Sequence, residues 1–158
     1  MLSIDAAHEL ILVAFPATVP TDHLFENDNP MDQDLNWCKE RLLNVPWPDI
    51  PLDMVLMNRE CPIYFSPEQA AFCLPAYLAA ALRTITDKPF GAVYDCVTFF
   101  QLTITCTSKL GPLTNNLQRK AISEVVEIVA DHMVDNDHVD DGAGWKECAS
   151  LWRSFSEA

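Results

Sequence analysis

The sequence predicts an all-α fold, a compact single-domain bundle of about six helices. Three observations predict it. Apolar residues recur at helical spacing in several separate segments, among them 3–15, 30–42 and 115–134. Helix-start signals stand ahead of those segments or of others like them, at Ser3, Asn29-Pro30 and Ser66-Pro67-Glu68-Gln69. One stretch alone, 100–107, alternates in the manner of a strand, and the short Ile63–Phe65 is the only segment that could pair with it.

The first helix is expected over about 3–15, capped by Ser3, with Ile4, Ala7, Ile11 and Ala14/Phe15 on one stripe and Pro16 ending it. Residues 16–31 read as a polar connector rich in Pro, Asp and Asn. Asn29-Pro30 then opens a second helix whose stripe is Leu35, Cys38 and Leu42. Pro46, Pro48 and Pro51 rule out continuous helix and predict an extended segment with Trp47 pinned against the core, followed by a short helix over Leu52–Met57. The clearest local signal is Ser66-Pro67-Glu68-Gln69, a capping box with proline at the first helical position, leading a helix through Leu82 that Pro75 should bend.

Phe90, Val93, Val97, Phe100 and Ile104 fit a helix, so 99–107 stands between helix and extended chain, helix to about Leu102 being favoured. Gly111-Pro112 breaks the chain and Thr114 is the expected cap of a long helix over about 115–134. Its stripe is Leu117, Ala121, Val125, Ile128 and His132, with Val129 and Met133 beside it. Asp135–Gly144 reads as an acidic loop supplying a cap, from Asp140 or Asp141, to a last helix with Trp145, Cys148, Ala149, Trp152 and Phe155 on one face.

Hydrophobic content of 49% against 21% charged residues is enough to build a core from 158 residues, so one folded domain is expected rather than a disordered chain. The charge is uneven: residues 1–60 carry −8, 61–120 carry +2 and 121–158 carry −7, for a total of −13. That balance argues against direct nucleic-acid binding and against an anionic membrane surface, and it favours a basic protein partner. No secretory signal or span-length apolar run is visible, and the six cysteines form no C-x-x-C pair, so reduced thiols in a cytoplasmic protein are expected.

The Ala14-Phe15 helix end, the Trp47-Pro48-Asp49-Ile50-Pro51 segment, Ser66-Pro67-Glu68-Gln69 leading into Leu74-Pro75-Ala76-Tyr77-Leu78, and a polar-capped helix like Leu113–Asp131 together cover roughly residues 4–133. In these the chain resembles a family of small bacterial proteins known only as a domain of unknown function. The resemblance implies a mostly helical fold and a bacterial origin, and it assigns no catalytic residue. Asp135–Asp141 and the aromatic tail helix lie outside it.

Two partner-binding patches follow from the residues. Asp131, Asp135, Asp137, Asp140 and Asp141 form the denser one. Phe25 framed by Glu26 and Asp28 forms an apolar tip in the connector. Metal binding is not expected at the first. An EF-hand register begun at Asp137 puts Gly142 in the sixth place, but Val139 falls third and Cys148 twelfth. His132 and His138 stand near Asp131 and Asp135, but His138 lies past the expected helix end and the further histidines, His8 and His23, are distant. Four glycines make no phosphate loop, and Cys61 beside Glu60 sits where a thiolate is disfavoured, so no catalytic residue and no cofactor are expected.

The expected function is therefore a non-enzymatic, acidic protein-binding protein, in its most concrete form a bacterial immunity protein that neutralises a cognate toxin by occluding it. Two alternatives remain: a nucleic-acid mimic that inhibits a DNA-binding enzyme, and a small enzyme or ligand-binding domain built around Tyr77, Trp47 and the His and Asp residues. The oligomeric state is not legible.

Overall fold

The computed structural model describes residues 2–17, 40–58, 66–85, 110–135 and 139–156, giving the backbone path alone for 133–135, 139–143 and 156. The fold is all-α, and no strand occurs among the described residues. Its elements are α1 (Ile4–Ala14), α2 (Leu52–Met57), α3 (Pro67–Thr84), α4 (Asn116–Asp135) and α5 (Val139–Ser156), with 3₁₀ turns at Trp47–Asp49 and Gly111–Leu113. Residues 40–42 are also helical and deliver Leu42 and Leu43 into the core.

The architecture is built around α3. Every residue from Cys73 to Leu82 is buried, so this helix is apolar all round and takes neighbours on all sides. It starts where the capping box requires: Ser66 Oγ accepts from Gln69 N at 3.3 Å, and Gln69 Oε1 accepts from Ser66 N at 2.9 Å. Pro75 cannot donate to the carbonyl of Ala71, yet the helix runs on to Thr84. Burial on every face outweighs a penalty of about 3 kcal/mol.

Around it, α4 and α5 form an antiparallel hairpin, α1 packs on α4 and α3, and α2 and the Trp47 turn pack on α3. Helix α1 begins at Ser3, whose Oγ accepts from Ala6 N at 3.2 Å, and buries Ala7, Ile11 and Ala14. Ile4 lies off that stripe, 37% exposed.

The proline-rich segment is not extended throughout, as the spacing suggested. Trp47–Asp49 closes a 3₁₀ turn, with Ile50 N donating to Trp47 O at 3.3 Å. Pro48 is tolerated because the opening positions of a helical turn need no donor. Trp47 is buried as expected, and its indole N–H donates to Phe15 O at 3.1 Å, satisfying a carbonyl left free at the end of α1. Helix α2 occupies the span expected of it, and Asn58 at its end donates to Met54 O at 2.7 Å. Tyr77 of α3 in turn donates to Asn58 O at 2.5 Å.

Three expectations for the C-terminal part need correction. The start of α4 is capped by Asn115 rather than Thr114: Asn115 Oδ1 accepts from Gln118 N and Gln118 Oε1 from Asn115 N, both at 2.9 Å. The apolar stripe of α4 is wider and shifted. Ala121, Ile122, Val125, Val126, Ile128, Val129 and Ala130 are buried, whereas Leu117 is 42% exposed. The acidic loop is mostly helix, since α4 extends to Asp135 and α5 starts at Val139, placing Asp140 and Asp141 inside the first turn instead of at a cap. The face of α5 agrees with its spacing: Trp145, Cys148, Ala149 and Trp152 are buried. The 99–107 question lies outside the described residues.

Candidate functional site

The hairpin α4–α5 sets the position of most of the acidic residues singled out in the sequence. Among the described residues, hydrogen bonds and ion pairs cross between the two helices and mark their register. Ser123 Oγ donates to Ala149 O at 3.1 Å in the buried seam. Lys146 Nζ lies 2.9 Å from Asp131 Oδ1, and Arg153 Nη2 2.5 Å from Glu127 Oε2.

Arg119 locks the far end of the hairpin. It donates to Phe155 O at 2.6 Å, to Gly111 O at 2.9 Å and to Thr114 Oγ1 at 3.3 Å. A guanidinium is suited to this, because its fork of donors reaches several carbonyls at once and its charge complements the negative end of α5. Phe155 lies over Gly111 and is 6.4 Å, ring to ring, from Trp152. No sequence motif announces Arg119. Its only hint is an arginine in the first turn of a helix, where the macrodipole disfavours a cation.

With that end closed, the other end carries the acids. Asp135 is the last residue of α4, and Asp140 and Asp141 lie in the first turn of α5, so the topology brings all three to one end of the helix pair. Their local electrostatics differ. An acid at the start of α5 is favoured by the helix dipole, while one at the end of α4 is disfavoured. Asp131 sits one turn further in and is half-buried in an ion pair with Lys146, so its charge is partly offset. Asp137, Phe25, Glu26 and Asp28 lie outside the described residues.

A second feature is a groove of about 580 Å³ bounded by α1, the Trp47 turn, α2 and α3. Its described lining includes Trp47, Val55, Ala76 and Ala79, with Asp5, His8 and Arg83 as the charged and titratable groups among the described residues. Tyr77, which the ligand-binding alternative would place in a site, is a core anchor 1% exposed with its hydroxyl committed to Asn58.

Metal ligation and thiol chemistry can be read among the described residues. No group of three or more His, Cys, Asp or Glu side chains is placed to hold a metal ion there. Cys73 is fully buried, and desolvation pushes its thiol far above the ordinary range, which makes it a poor nucleophile. Cys148 is buried in the α4–α5 seam. No helix among the described residues is long and apolar enough to cross a membrane.

Comparison with known proteins finds no matching family model, no matching curated protein and no matching solved structure.

Proposed function

We propose that this chain is a non-enzymatic protein-binding domain that engages a basic protein through the acidic end of the α4–α5 hairpin. The observation that supports it is placement. Asp135, Asp140 and Asp141 come from two helices and meet at one end of a pair whose register is held by buried and charged cross-helix bonds. Asp135 closes α4, where helix electrostatics disfavour an acid, so local stability does not account for it. Acidic residues at one end of a helix pair, on a chain of net charge −13, accelerate encounter with a cationic surface and repel anionic competitors.

In its most specific form the partner is a toxin acting on nucleic acid or nucleotides, whose basic cleft the acidic end occludes, and the chain is the matching immunity protein. Cytoplasmic residence belongs to the same proposal. The test is capture from the native lysate with the unaltered chain and with a variant carrying Asp135→Lys, Asp137→Lys and Asp141→Lys. A basic protein retained by the first and lost with the second supports the reading. Equal retention by both removes this patch from it. Added toxin activity that falls in proportion to bound chain would separate neutralisation from simple association.

A further inference from the structure

The groove beside α1 is distinct from the acidic hairpin end in position and in chemistry. Its volume of about 580 Å³ falls within the range of small-molecule sites. Its floor is apolar and built of small side chains: Ala76, Ala79 and Ala80 of α3 are at most 8% exposed. Trp47 and Val55 add larger apolar surface, and Leu12 of α1, also on the lining, is 41% exposed. An apolar body entering this groove releases water from both surfaces.

The charged groups on the lining specify more than apolarity. Asp5 comes from the first turn of α1 and Arg83 from the last turn of α3. Each complements its own helix dipole, which favours the charge at that position without consuming its hydrogen-bonding capacity. Neither these two nor His8, the third polar side chain on the lining, makes a side-chain hydrogen bond or ion pair among the described residues. Among the described residues the groove thus offers one carboxylate acceptor and one guanidinium fork above an apolar floor.

We infer that the groove binds a net-neutral zwitterion with an apolar body, of which a short apolar peptide with free ends is the simplest class. The ammonium pairs with Asp5, the carboxylate with the Arg83 fork, and the apolar side chains lie on the alanine floor. Charge complementarity selects this class. A simple anion is opposed by the net −13 of the chain and by Asp5, and a simple cation by Arg83. A zwitterion satisfies both groups without adding net charge.

The test is a titration of the full-length, isotope-labelled chain with tri-leucine, followed by the backbone amide signals of Asp5, His8, Ala79 and Arg83. N-acetylated and C-amidated tri-leucine are run in parallel. The free-ended peptide is expected to give saturable shifts at these positions and to bind at least about fivefold more tightly than either capped form. In Asp5→Asn the acetylated and free peptides should bind alike, and in Arg83→Gln the amidated and free peptides should do so. Both side chains are exposed, and the capped peptides test the unaltered chain in any case. Absence of saturable shifts at these amides up to about 10 mM peptide, or equal affinity for all three peptides, overturns the inference.

Discussion

Arg119 is the side chain on which the closed end of the hairpin depends. It ties the last turn of α5, the Gly111 turn and Thr114 to the start of α4 in one half-buried fork. Hydrogen bonds from a charged group contribute about 1.5–3 kcal/mol each, and partial exposure reduces that. Arg119→Ala is therefore expected to cost about 2–3 kcal/mol in chemical denaturation, and Arg119→Lys to recover less than half, because an ammonium cannot reach both carbonyls. A loss below about 0.5 kcal/mol would show that the fork contributes little.

Cys73 gives a second test at the same scale. Its thiol, fully buried and held neutral, should resist iodoacetamide in the native protein and react once the chain is unfolded. The sign of the linkage is fixed by the upward shift. The stabilisation associated with the neutral thiol is complete below the ordinary value of 9.0 and is lost as pH rises above it, since only the unfolded chain ionises readily there. Alkylation of native Cys73 at pH 8, read by peptide mass mapping, would contradict this burial.

At the scale of elements, the helix dipoles make a paired prediction at the acidic end. Asp135→Asn should raise stability and Asp141→Asn should lower it, each by about 0.3–1 kcal/mol, in thermal unfolding at low salt. Both differences should shrink at 1 M salt. The same sign for both substitutions would show that the helix termini are not where the backbone places them.

Much of this level was legible in the chain. Ser3, Ser66-Pro67-Glu68-Gln69 and the α5 stripe lead directly to observed caps and faces, because each couples a local hydrogen-bonding signal to an apolar period. The cap of α4 was readable too. Thr114, Asn115 and Asn116 are all cap-capable, but only Asn115 has a glutamine three residues on that bonds back. What misled at 135–144 was the density of Asp with Gly142 and Gly144, which resembles a loop. Aspartates at the opening of a helix are favourable, and two glycines at about 1 kcal/mol each are carried by the buried Trp145, Cys148, Ala149 and Trp152 beyond them. Tertiary packing decided the rest. The width of the buried face of α4 follows from its lying against both α1 and α5, a fact that no window of sequence contains.

For the whole molecule, the uneven charge seen in the sequence resolves into structure. The least acidic third supplies α3, the buried centre, and the described acids of the C-terminal third fall on the hairpin. Two of them, Glu127 and Asp131, are spent on surface ion pairs with Arg153 and Lys146, which contribute little to stability but offset the flank of the hairpin. Asp135, Asp140 and Asp141 fall at the end of the hairpin beyond these pairs. The groove and its rim charges were not legible, because Asp5, Trp47, Ala79 and Arg83 are far apart in the chain and converge only through the packing of α1 and the Trp47 turn on α3.

The most direct test of the acidic end as a docking surface is the association rate with the captured basic partner, measured from low salt to 0.5 M for the unaltered chain and for the Asp135→Lys, Asp137→Lys, Asp141→Lys variant. The unaltered chain should associate at least about tenfold faster at low salt than at high salt, and the variant should lose most of that dependence while keeping its fold. Equal rates and equal salt dependence for the two chains would contradict the account.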